Sequence, residues 1–188
     1  MGKRSKHPLI WLAVSAWLSA FLGASVAGAE PAKSNWMTGE NAAAAEGSDF
    51  AVLQVTTDNP DGLAANWKTA SPALRLNSVS RIEINNPVAA LIVFRGCKPN
   101  AEGLCNVTAE VTIEDPKGKQ IQHTPLMPLW VNQPPAPKNS LMLSPALVGL
   151  GMDNTDPSGR YVIRYSITDT IAGITLKTRQ SLDYQAKH

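Results

Sequence analysis

The chain offers few side chains that could do covalent or metal chemistry. Cys97 and Cys105 are the only cysteines, enclosed in the segment CKPNAEGLC. The spacing is not Cys-x-x-Cys, no histidine lies nearby in sequence, and two ligands do not complete a zinc site. In an exported chain such a pair reads as a disulfide that closes a polar Pro-Asn…Gly loop. Closing a loop this short stabilises a fold by about 2–3 kcal/mol in the chain-entropy account. Among the three histidines, His7 lies in the basic N-terminal segment and His188 at the end, leaving His123. A Ser/His/Asp arrangement would have to use His123, and no Gly-x-Ser-x-Gly elbow is present. Asp153, Asn154 and Asp156 crowd one segment, but Pro157 and Ser158 break the calcium-loop order, so turn formation accounts for them. His123, Met127, Met142 and Met152 have the ligand types that suit Cu(I), without a Met-x-Met or histidine-rich run to gather them. No cofactor or metal is expected on these grounds.

The elements that must position these residues read as strands. Val107, Ala109, Val111 and Ile113 alternate with Thr108, Glu110, Thr112 and Glu114, the pattern of a half-buried strand. Tyr161, Ile163, Tyr165 and Ile167 repeat it, as do Ile174, Leu176, Leu182 and Tyr184 around a polar gap. Val88 to Phe94 is apolar throughout, which predicts a central strand covered on both faces. Weaker strand signals cover 51–57, 79–84, 119–123 and 141–150. Asp58-Asn59-Pro60-Asp61-Gly62, Asn85-Asn86-Pro87, Asp115-Pro116-Lys117-Gly118 and Asp156-Pro157-Ser158-Gly159 carry turn chemistry between the runs. After residue 29 no stretch shows a helical stripe over three turns, and Ala42 to Ala45 offer one helical turn at most. Seven or eight strands in about 140 residues predict a single all-β, antiparallel β-sandwich over residues 50–188.

Residues 1–49 read differently. Lys3, Arg4 and Lys6 precede the apolar run Leu9 to Phe21, and Ala27-Gly28-Ala29 ends it in a small-x-small pattern. This is the order of a secretory signal over 1–29, cleaved between Ala29 and Glu30. No cysteine near that point offers a lipid anchor, and a lone Lys-Arg does not make a twin-arginine signal. Residues 30–49 have neither alternation nor a helical stripe and are expected to be a flexible leader. The 188 residues carry 17 bases and 15 acids. Loss of the three signal bases leaves 14 against 15, a net charge of −1, which gives no basis for nucleic-acid binding or for attachment to anionic membrane. The expected location is the periplasm or the medium, with no stable membrane insertion after processing.

Asp156-Pro157-Ser158-Gly159-Arg160-Tyr161-Val162-Ile163-Arg164-Tyr165, then Asp169 and a last strand from Gly173, resembles the final hairpin of immunoglobulin-like domains. The resemblance implies that Tyr161 makes a tyrosine corner, bonding back across the turn. Ile163 stands where antibody-type domains carry their second core cysteine, so the likeness is to bacterial exported immunoglobulin-like domains that lack an inter-sheet disulfide. One segment is not demanded by such a sandwich. Pro125 to Asn139 holds five prolines, favouring an extended polyproline crossover between sheets. Leu129, Trp130 and Val131 at its centre form a candidate binding strip, with a plug for the open end of the core as the other role for Trp130. Together these features predict a non-catalytic module that binds another envelope protein or an extracellular ligand. The alternative is a periplasmic copper-handling protein of cupredoxin or copper-carrier type. A carbohydrate-binding role has only Trp67 and Trp130 to draw on.

Overall fold

The structure, a computed structural model, describes residues 43–47, 49–69, 76, 78–138 and 140–186. The expected signal and its cleavage point at Ala29 and Glu30 lie outside these residues. Nine strands and one helix follow in the order β1 (Ala43–Gly47), β2 (Phe50–Thr57), α1 (Pro60–Thr69), β3 (Arg81–Ile82), β4 (Val88–Arg95), β5 (Cys105–Glu114), β6 (Gln120–Gln133), β7 (Met142–Leu150), β8 (Gly159–Asp169) and β9 (Ile174–Tyr184). They build a four-stranded sheet ordered β1-β2-β4-β7 and a five-stranded sheet ordered β3-β9-β8-β5-β6. With β2, β4 and β7 as strands A, B and E, and β9, β8, β5 and β6 as G, F, C and C′, this is the order of an immunoglobulin-like sandwich. All pairings are antiparallel except the two-residue β3, which runs parallel to β9.

Four expectations need correction. The stretch 43–47 is not part of a flexible leader, because β1 pairs with β2 along its whole length, from Ala43 opposite Gln54 to Gly47 opposite Phe50. The turn read at 58–62 opens a helix instead. Asn59 accepts the Gly62 N–H on its side-chain oxygen at 2.9 Å, Pro60 takes the first helical position, and Asp61 sits in the first turn. Residues that favour turns also cap helices, and ten residues are too few to show a long stripe. Pro125 to Gln133 is not a polyproline crossover but the second half of β6, the edge strand beside β5. An edge is where a residue without an N–H costs least, and β6 slips register against β5 at four points, as a bulged, proline-bearing edge does. The change of sheet comes after Gln133, where β6 ends and before β7 begins. Last, the strands among the described residues number nine, against the seven or eight expected.

The continuous apolar runs of β2 and β4 now have a cause. Phe50, Val52, Ala90, Ile92 and Phe94 face the other sheet, while Leu53, Val55 and Val93 pack under Leu63 and Trp67 of α1. At the sandwich centre the core turns polar. Gln54 and Thr56 of β2 and Thr178 and Gln180 of β9 are all buried. Thr178 donates to Gln54 at 2.9 Å, Thr56 donates to Gln180 at 2.6 Å, Gln180 donates to Ser78 at 2.7 Å, and Gln54 donates to the Ile163 carbonyl at 3.3 Å. Each amide thereby both donates and accepts a hydrogen bond within the protein.

Three tyrosines tie strands to backbone carbonyls outside their own sheet ladders. Tyr161 donates to the Pro157 carbonyl at 2.9 Å, the tyrosine corner expected from the resemblance. Tyr184 reaches the Asp153 carbonyl at 2.6 Å, and Tyr165 crosses the core to the Ala90 carbonyl at 3.0 Å. Tyr161→Phe removes only the corner hydroxyl and should cost about 1–3 kcal/mol in a urea titration by leaving a carbonyl unpaired; a loss under about 0.5 kcal/mol would show that the corner does not support the fold. Burial pushes the Tyr165 phenol well above its ordinary value of 10.0. Its folded value is the higher one, so its contribution is complete below pH 10.0 and is lost as pH climbs toward the folded value. The thermal midpoint should therefore fall at alkaline pH, and Tyr165→Phe should flatten that fall while lowering stability at neutral pH.

Candidate functional site on the open face of the five-stranded sheet

Cys97 and Cys105 are disulfide-bonded, with their Cα atoms 6.0 Å apart. The bridge joins the end of β4 to the start of β5, and both residues are buried. The loop is held a second time by Asp169, which is fully buried and accepts the Lys98 N–H at 2.7 Å and the Ile171 and Ala172 N–H groups at 3.1 Å. The disulfide closes the connection between β4 and β5, and Asp169 ties that loop to the turn between β8 and β9.

The expected strip at Leu129, Trp130 and Val131 is divided by the fold. Leu129 is 1% exposed and belongs to the core, Trp130 is half-buried, and Val131 is exposed. Trp130 packs edge-to-face on Phe94 at 6.0 Å, and its indole N–H donates to the Pro134 carbonyl at 2.9 Å. A single apolar strip of three neighbours is therefore not presented. A bulged strand that buries two successive residues breaks the alternation that would have kept them together. Leu126, 70% exposed, is the most open large apolar residue of β6.

The copper set is not gathered either. His123 pairs with Thr112 on the outer side of the five-stranded sheet and lies 2.9 Å from Glu110, whereas Met127 and Met152 are buried in the core and Met142 packs against it. Asp153 and Asp156 shape a turn, Asp156 accepting the Asp153 N–H at 2.8 Å and Asp153 accepting both N–H and hydroxyl of Thr155. Those bonds from Thr155 hold the Asp153 carboxyl below its ordinary value. Among the described residues no three His, Cys, Asp or Glu side chains stand close enough to hold a metal ion. Trp67 of α1 packs against Leu53, Val55 and Val93 of the four-stranded sheet.

The two sheets differ in what covers them. The outer face of the four-stranded sheet carries α1; the outer face of the five-stranded sheet carries no element of the described chain. Residues pointing outward there follow from alternation and register. Arg164 of β8 stands between Thr112 of β5 and Arg179 of β9, and Ser166 stands between Glu110 and Lys177. Glu110, Thr112, Arg164, Ser166, Lys177 and Arg179 line a shallow groove of about 500 Å³. Arg164 makes a bidentate pair with Glu114 at 2.9 and 3.1 Å. Those hydrogen bonds, with the positive field of Arg164 and Arg179, hold the Glu114 carboxyl below its ordinary value. Lys177 and Arg179 have no ion pair among the described residues. Like charges directly across a strand pair destabilise a sheet, so the Arg164–Arg179 juxtaposition is a local cost. Alternation alone makes these residues solvated faces of separate strands; the pairing that assembles them is a register property.

No family model and no curated protein matches the chain. Among solved structures it is similar to a family 123 glycoside hydrolase from Clostridium perfringens (15% identity, TM-score 0.40), of which it spans 28%, with 72% of this chain covered. The CARDB domain of a Pyrococcus furiosus protein aligns at 8% identity and TM-score 0.36, over 58% of this chain and 87% of that one. A Niemann-Pick type C2 protein from Japanese carpenter ant aligns at 9% and 0.35, over 79% and 96%. Likenesses this distant assign neither fold nor function, and the fold stands on the chain's own strand order.

Substitutions on β6 separate packing from surface. Trp130→Ala should lower stability by about 2 kcal/mol, less than the 3–5 of a fully buried aromatic, while Leu126→Ser should change it by no more than about 0.5 kcal/mol. Equal effects in chemical denaturation would contradict the placement of Trp130 against Phe94.

Proposed function

We propose that this chain is an exported, non-catalytic β-sandwich of the bacterial envelope that binds another protein or an extracellular ligand through the outer face of its five-stranded sheet. The observation that carries the reading is the asymmetry between the faces. One sheet carries α1 over Leu53, Val55 and Val93, whereas the other holds a groove lined by charged and hydroxyl side chains. An open groove on a rigid sheet gives a partner preorganised contacts at little entropic cost. The disulfide supports an oxidising compartment, as does the sequence order of residues 1–29. A copper-handling role gains no support from His123, which lies on the outer side of the five-stranded sheet, or from Met127 and Met152 in the core and Met142 packed against it.

Photo-crosslinking in intact cells tests the reading. A photoreactive residue at Thr112 or Ser166, on the open face, should trap a defined adduct in the periplasmic fraction. The same residue at Asp61, on the helix side, should not. Adducts from all three positions, or from none, would overturn it.

A further inference from the structure

We infer that the groove on the open face takes an acidic polypeptide segment in extended conformation, with carboxylates two residues apart; this rests on the binding role proposed above and names its ligand class. Lys177 and Arg179 stand at i and i+2 on β9, both exposed and both without an ion pair among the described residues. On an extended strand such residues share one face at a spacing of roughly 7 Å. An extended segment with acidic residues at the same interval repeats that spacing, so both carboxylates meet a cation at once. Arg164, opposite Arg179, is already held by Glu114 and adds a third positive group beside them. Ser166, across from Lys177, and Thr112, across from Arg164, offer hydroxyls along the same groove.

The neighbouring acids narrow the choice. Glu110 and Glu114 border the cations on the β5 side, so the positive strip is one groove wide. A broad polyanion or an anionic membrane would meet the carboxylates as well as the cations, and a ligand with charge on one narrow line would not. The strain of placing Arg179 against Arg164 would be relieved by an arriving carboxylate, which couples ligand binding to removal of a like-charge contact.

The probe is a short labelled peptide alternating Thr and Glu, followed by fluorescence anisotropy with the full chain as processed. Peptides alternating Thr with Gln and Thr with Lys, and a heparin oligosaccharide, serve as comparators. The acidic peptide should bind, weaken as salt rises, and lose roughly tenfold or more in affinity when Lys177→Gln and Arg179→Gln are combined. Arg179→Gln alone should leave the thermal midpoint unchanged or raise it, which separates lost binding from lost folding. Equal binding of the Gln peptide, tighter binding of heparin, or acidic-peptide binding untouched by the double substitution would each overturn the inference. So would a dimer of this chain that the same substitutions dissolve, since the face would then serve a second copy. If the acidic peptide fails while crosslinks from Thr112 and Ser166 persist, the ligand class is wrong and the binding face stands. If those crosslinks are absent too, both readings fall.

Discussion

The buried polar set between the sheets fixes the rest of this structure. Gln54 and Thr56 on β2 meet Thr178 and Gln180 on β9 in the middle of an otherwise apolar core. A buried amide left without a partner costs about 1–3 kcal/mol, so only a register that satisfies all four groups is tolerated. A slip of β9 by one residue would turn Thr178 and Gln180 to solvent and drive Lys177 and Arg179 into the core. The same hydrogen bonds that lock the two sheets therefore decide which cations face outward. Core specificity and surface chemistry are two consequences of one alternation.

Around that centre, apolar burial and backbone anchoring divide the work. Phe50, Val52, Ile92 and Phe94 meet Ile113, Ile163, Tyr165 and Ile167 across the sandwich. Tyrosine hydroxyls satisfy carbonyls at its ends and middle, so rings large enough to fill space also close polar gaps. The disulfide and Asp169 do for the loop between β4 and β5 what the tyrosine corner does at the opposite connection: they fix an irregular segment that has few backbone bonds of its own. The result is a sandwich in which α1 covers one sheet and no element of the described residues covers the outer face of the other.

The edges of that frame are managed rather than left open. β6 carries Pro125 and Pro128 and repeated register shifts, features that discourage another strand from adding alongside. Its exposed Leu126 therefore sits on an edge poorly suited to strand pairing, and recognition is better served by the flat face, where side chains rather than backbone groups are on offer.

Strand identity was legible in the sequence wherever one face met water and the other the core. Alternation in 107–114 and 161–168 needed no tertiary knowledge, and the turn segment before Tyr161 pointed to its corner because that motif is local. The cysteine pair was legible for the same reason, since its loop closes within one connection. Other features depended on neighbours far away in the chain. The segment 43–47 has no strand pattern of its own and is ordered by pairing with β2; α1 is too short to announce itself except through Leu63 and Trp67, which need the apolar backs of β2 and β4. Thr178 and Gln180 look like a polar gap until Gln54 and Thr56 arrive opposite them. The sequence by itself determined the period of each strand, and thus which residues share a side. Which side became core, which became a covered back and which became an open groove was decided only when distant strands paired, because burial and hydrogen-bond satisfaction are properties of the assembled sheets.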